Sequence, residues 1–69
     1  MEMINVSSSN IAAIGYDVNR AILVIEFLNG YAYEYFDVPE YIFLEFQSAD
    51  SKGKYAHANI YKHFRENRI

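Results

Sequence analysis

The sequence predicts an α+β domain, a three-stranded antiparallel β-meander followed by two α-helices packed on one face of the sheet. Three observations predict it. Segments dense in β-branched and aromatic residues fill positions 11–38, with turn residues between them. Pro39 then opens a stretch whose apolar residues recur at helical spacing. A second helical stretch follows Asp50-Ser51.

The predicted strands are Ile11–Val18, Ala21–Phe27 and Tyr31–Val38. A tight turn at Asn19-Arg20 pairs Val18 with Ala21, Tyr16 with Leu23 and Ile14 with Ile25. Ile14, Tyr16, Val18, Leu23, Ile25 and Phe27 then share one face, with Asp17 and Glu26 on the other. The second turn decides the remaining register. Asn29-Gly30 invites a two-residue type I′ hairpin, which would set Glu34 in the core opposite Ile25. A three-residue loop, Leu28-Asn29-Gly30 with Gly30 in the left-handed region, sends Glu26 and Glu34 outward and brings Tyr33 and Tyr35 inward. Burying an unpaired carboxylate costs more than turn types differ by, so the three-residue loop is expected.

Pro39 suits a helix start, because its missing N–H costs nothing there. Ile42, Phe43 and Phe46 form the inner face of the first helix, which fades near Ser48. The second helix is capped by Asp50 or Ser51 and runs to about His63, with Ala56, Ile60 and Phe64 as its inner stripe. Gly53 in its first turn lowers helix propensity, which points to close packing or to backbone approach by another group.

Length and composition set further bounds. Sixty-nine residues make one domain, 1–69, with residues 1–10 a polar lead-in and residues 64–69 a basic tail. A chain this short buries roughly 60% of its unfolded surface, so its stability is small. Without cysteine it has no disulfides, thiolate metal sites or cysteine nucleophile. Seven tyrosines and five phenylalanines supply core area instead. The longest apolar run, Ala21 to Ile25, is far short of a membrane span, and Met1-Glu2-Met3-Ile4 does not resemble a signal peptide. The expected location is the cytoplasm. Charge is unevenly distributed: residues 1–50 carry eight acids against Arg20, whereas residues 51–69 carry five bases against Glu66. The basic segment either meets an external anion or neutralises the acidic sheet internally.

A search for chemistry finds no catalytic constellation. His57 and His63 stand about 240° apart around a helix and cannot share a metal. Ser51, His57 and Asp50 supply the residue types of a triad, but nothing positions a base or an oxyanion hole. Glu26 and Glu34 lie on an open face and read as solvated charges. Gly53-Lys54 resembles part of a P-loop, but Ser48 stands where the earlier glycine is required and Tyr55 replaces the Ser/Thr. What survives is a helix N-terminus with free N–H groups, a hydroxyl, two lysines and a glycine, which suits a phosphate; the plain alternative is an N-cap with two solvated lysines. Tyr33 and Tyr35 alternate as stacking aromatics do on RNA-binding sheets, although the register turns them into the core.

These residues carry a resemblance to the KTSC family, short domains named after the C-terminal extension of some lysyl-tRNA synthetases and also found as stand-alone bacterial proteins. The resemblance runs from about Val6 to Phe64. It rests on Ser8-Ser9, Ile14-Gly15-Tyr16-Asp17, Leu23, Ile25, Phe27 and Gly30, then the central Tyr33-Glu34-Tyr35 and Val38-Pro39. Ala49, Ser51-Lys52-Gly53-Lys54-Tyr55 and Ile60 complete it. Ala56 stands where a large aromatic is common, His57 where Asn is, and Tyr61 where a basic residue is. The resemblance implies a domain without aminoacylation activity, for which RNA binding is suggested by the synthetase context.

The expected function is thus a small non-enzymatic module, without metal or cofactor, that binds RNA or phosphate through Ser51, Lys52, Gly53, Lys54, Lys62, Arg65 and Arg68. The alternative is a protein-interaction or homodimerisation module that uses the outer sheet face. There the register exposes Ile22, Val24 and Phe36 beside Ala13 and Gly15, unless Ile4 or Val6 of the lead-in crosses the patch.

Overall fold

Seven elements follow one another in the computed structural model, which describes Met1–Ile69. They are β1 (Met3–Asn5), β2 (Ile11–Asp17), β3 (Ile22–Phe27), β4 (Ala32–Tyr35), α1 (Glu40–Ser48), α2 (Lys52–Asn59) and β5 (Glu66–Arg68). All neighbouring strands are antiparallel, and sheet order equals chain order, β1-β2-β3-β4-β5. The class is the predicted α+β, but the sheet has five strands rather than three. The lead-in supplies β1, whose Ile4 pairs with Ile14, and the tail supplies β5, whose Asn67 pairs with Glu34. Both are three-residue strands that exist because the edges of β2 and β4 offer unpaired backbone groups.

The central register is the predicted one. Ile14 pairs with Ile25 and Tyr16 with Leu23; across the next hairpin Leu23 pairs with Tyr35 and Ile25 with Tyr33. Gly30, at φ 93°, closes the three-residue loop, and the Phe27 N–H donates to the Tyr31 carbonyl at 2.8 Å. Tyr35 is buried, and Glu34 faces outward beside Val24.

Three details depart from expectation. A bulge between Ile11 and Ala13 inserts one residue, so Ile11 turns inward and becomes fully buried. Val18 leaves the predicted core face and is 60% exposed, because the turn takes in Val18 and Ala21 as well. Ala21 there adopts φ 54°, and the Asp17 carboxylate accepts from the N–H groups of Asn19 and Arg20. Helix α2 ends at Asn59 rather than near His63. The Tyr61 N–H reaches back to the Ala56 carbonyl and Lys62 takes φ 65°, which turns the chain toward β5.

Both helices cover the inner face. Ile11, Ile14, Leu23, Ile25 and Tyr35 of the sheet, with Val38, close on Ile42 and Phe46 of α1 and on Ala56 and Ile60 at α2. Stacked rings fasten the layers: Tyr16 on Phe43 at 5.3 Å and Phe46 on Tyr55 at 5.7 Å. Such pairs add about 0.5–1.5 kcal/mol each beyond area burial, which matters in so small a core. The Tyr16 hydroxyl donates to the Val38 carbonyl, tying β2 to the segment that enters α1. No helix is long and apolar enough to cross a membrane.

Candidate functional site

Where the lead-in bends into β2, the Ser8 hydroxyl oxygen accepts from the N–H groups of Asn10 at 3.4 Å and Ile11 at 3.3 Å, and the hydroxyl donates to Asn10 Oδ1 at 3.2 Å. The Leu28 N–H binds the Asn10 carbonyl at 2.9 Å. These bonds fix the shape of the Ser9-Asn10 corner, which lies beside the start of α2. There Ser51 is the N-cap, its oxygen accepting from the Lys54 N–H at 3.3 Å. The N–H groups of Lys52 and Gly53 lie in the first turn, where no intrahelical acceptor exists.

Between corner and helix lies a cleft of about 490 Å³, lined by Ser9, Asn10, Ser51, Gly53, Lys54, His57 and Tyr61. Gly53, His57 and Tyr61 recur every four residues along α2 and its extension. A Cβ on Gly53 would stand 3.1 Å from Asn10 Oδ1, so glycine keeps the corner close to the helix. The lining carries one lysine and no carboxylate, in a chain with nine acids. The Tyr61 hydroxyl oxygen is buried beside the Asn10 side chain, too far or too poorly aligned for a good hydrogen bond. Burial holds its pKa above the usual phenol value; the Asn10 side chain opposes that rise and Glu66 adds to it. His57 meets the Tyr61 ring edge-on at 6.4 Å. The lining can therefore receive an anionic oxygen group through an ammonium, backbone N–H groups and hydroxyls.

Of the seven residues expected to bind phosphate, the fold brings together Ser51, Gly53 and Lys54. Lys52 is turned away: its ammonium donates to the Ala49 carbonyl at 2.6 Å and closes the end of α1. Arg65 and Arg68 lie outside the cleft, along the β4–β5 edge. The Arg65 guanidinium covers the Phe36 ring and that of Arg68 covers Tyr31, each 4.8 Å from the ring centroid. Lys62 occupies the turn after α2 and does not line the cleft. Ser9, Asn10, His57 and Tyr61 were not among the expected residues. The signal for Ser9 and Asn10 was a run of small polar residues at 7–10, whose contact with a helix forty residues later no local pattern reveals; His57 and Tyr61 follow Gly53 at four-residue spacing.

The expected apolar patch on the outer face is closed. Ile22 is buried, and Val24 and Phe36 are half-buried. Strands on both flanks narrow the face, Arg65 lies on Phe36, and the lead-in crosses Gly15. The covering side chains are Met1 and Met3 rather than Ile4 or Val6. A Cβ on Gly15 would meet the Met3 sulfur at 2.6 Å, the Glu2 carbonyl at 2.9 Å and the Met1 sulfur at 3.2 Å. Val6 packs against the core cluster instead.

Known proteins are similar to this chain. The crystal structure of a KTSC domain protein from Yersinia pestis superposes with a TM-score of 0.94 at 39% identity, over 99% of this chain and 96% of that one. A protein of Tsukamurella paurometabola is 37% identical over 60 residues, which is 87% of this chain and 90% of that protein. An uncharacterized protein of Stutzerimonas stutzeri is 34% identical over 55 residues, 80% of this chain and 78% of its own length. A family model described as the KTSC domain matches residues 7–64, which include every residue of the cleft. The chain belongs to the KTSC domain family.

Proposed function

We propose that the protein is a non-enzymatic binding module of the cytoplasm that takes a phosphate group of RNA into the cleft between the Ser9-Asn10 corner and the N-terminus of α2. One observation carries this reading. The surface has one cleft, and its lining unites Lys54, a capped helix N-terminus and two serines without a carboxylate. An anion is therefore favoured there although the whole chain is acidic, at −3. RNA is preferred as the source of the phosphate because the family resemblance reaches the extension of lysyl-tRNA synthetases.

The test is a titration of labelled tRNA and of generic single-stranded RNA at low salt, with Lys54→Ala and Arg65→Ala in parallel. Lys54→Ala weakens binding by roughly tenfold or more, the worth of one charge-assisted hydrogen bond, and Arg65→Ala leaves it nearly unchanged. No binding of either RNA by the unmodified protein overturns the reading.

A further inference from the structure

The chain holds two sulfur atoms, those of Met1 and Met3, and both lie at one place. In the antiparallel pairing Met3 stands opposite Gly15, and Gly15 stands opposite Val24. Gly15 has no side chain to fill its place on the outer face, so its neighbours from the lead-in fill it. Both thioether sulfurs lie within 3.2 Å of the point that a Gly15 Cβ would occupy. They form an apolar cover on the sheet face opposite to the one that receives the helices. Solvent still reaches this cover: Met1 is 60% exposed and Met3 36%.

Strand β1 has little else to hold it. It is three residues long, it pairs with β2 alone, and Ile4 is its one side chain turned toward the core, half-buried. A thioether suits the outer contact because it is apolar, pliant and polarizable. A sulfoxide does not. Its oxygen is a strong acceptor that calls for water, and neither Gly15 nor Val24 has a donor side chain to offer it. Short edge segments open locally at low cost, so a change at these two side chains is felt at β1 before any other strand.

We propose that Met1 and Met3 form a reversible oxidation site, with a hydroperoxide as the oxidant, and that sulfoxide formation undocks β1 from the sheet. With hydrogen peroxide, the sulfur lone pair attacks one peroxide oxygen, the O–O bond breaks and an S=O bond forms. The proton on the transferred oxygen passes to the departing hydroxide, which leaves as water. The sulfur is oxidised and the peroxide reduced, each by one electron pair. A dithiol reductant reverses the step: its thiols close to a disulfide, the sulfoxide oxygen leaves as water and the thioether returns. No cysteine competes for the oxidant. With β1 released, the outer face at Gly15 and Val24 loses its cover and the edge of β2 is open to pairing.

The experiment treats the full chain with hydrogen peroxide, counts the added oxygens by mass spectrometry and follows amide hydrogen exchange. One oxygen is expected on each methionine, and exchange at Met3–Asn5 accelerates by about tenfold while Ile22–Phe27 stays protected. Methionine sulfoxide reductases with a dithiol restore the slow exchange. A variant carrying both Met1→Leu and Met3→Leu, whose apolar cover peroxide does not alter, keeps its own exchange rate at β1 under the same treatment. Two sulfoxides with unchanged exchange at Met3–Asn5 overturn the proposal. So does a Met3 that stays unmodified when an unstructured methionine peptide in the same tube is oxidised, and so does equal acceleration in the leucine variant.

Discussion

Replacing Gly53 by alanine sets helix stability against access to the cleft. In a helix interior alanine is favoured over glycine by about 0.8–1.0 kcal/mol; in the first turn, where Gly53 sits, about half of that applies. The added Cβ stands 3.1 Å from Asn10 Oδ1, tighter than ordinary contact by a few tenths of an ångström. Asn10 is exposed, and its side-chain bond to Ser8 is already 3.2 Å long, so the side chain yields at less cost than the helix gains. The net expectation is a gain of a few tenths of a kcal/mol, which raises Tm by roughly 1–3 °C in a domain of this size. RNA affinity moves the other way, because the methyl group and the displaced Asn10 narrow the cleft. Circular-dichroism melting and RNA titration of the same variant read both effects. A fall in Tm would show that the Ser8–Asn10 corner is rigid. A higher Tm with unchanged affinity would remove Gly53 from the site.

Gly15→Ala has the opposite sign: its Cβ meets backbone as well as a sulfur, so stability falls by about 1–3 kcal/mol and hydrogen exchange at Met3–Asn5 accelerates. Unchanged exchange there would mean that the lead-in does not rest on Gly15. Tyr61→Phe removes a hydroxyl that lacks a good hydrogen bond, so Tm holds or rises while RNA affinity drops; a loss of more than about 1 kcal/mol would reveal a hydrogen bond to that oxygen. Alkaline pH destabilises the fold. The pKa values of Tyr16, Tyr35, Tyr55 and Tyr61 are all raised, chiefly by burial, with the Glu45 carboxylate adding to it at Tyr55 through a 2.6 Å hydrogen bond. The folded state therefore holds those protons more tightly than the unfolded chain. Stability from these groups is complete below about pH 10 and is lost as pH rises through the folded values. A denaturant midpoint that is flat from pH 9 to 11 would contradict it.

The middle of the fold was legible because burial decides it. Glu34 could not enter the core unpaired, and that alone fixed the second hairpin, the inward Tyr33 and Tyr35 and the face that receives the helices. The strands at either edge were not legible. Met3–Asn5 places one apolar side chain toward the core and Glu66–Arg68 none, so neither shows alternation; their strand character comes from partners elsewhere in the chain. The bulge that turns Ile11 inward leaves no mark in a pattern of period two. The candidate site was half legible for a related reason. Ser51, Gly53 and Lys54 announce a helix start, a local signal. The fate of Lys52 depends on the Ala49 carbonyl at the end of α1, and the opposite wall of the cleft comes from Ser9 and Asn10, remote in sequence. The outer patch failed as an expectation because methionines of the lead-in pack over Gly15 and an arginine covers Phe36.

An anion entering between the Ser9-Asn10 corner and the start of α2 is detectable by amide chemical-shift mapping of the unmodified, isotope-labelled protein during titration with inorganic phosphate. Saturable shifts are expected at Ser9, Asn10, Lys52, Gly53 and Lys54, carried by the two unpaired N–H groups of the first turn, with Arg65 to Arg68 unmoved. Shifts confined to the β4–β5 edge around Phe36 and Arg65, or no saturable shift at α2, would contradict it.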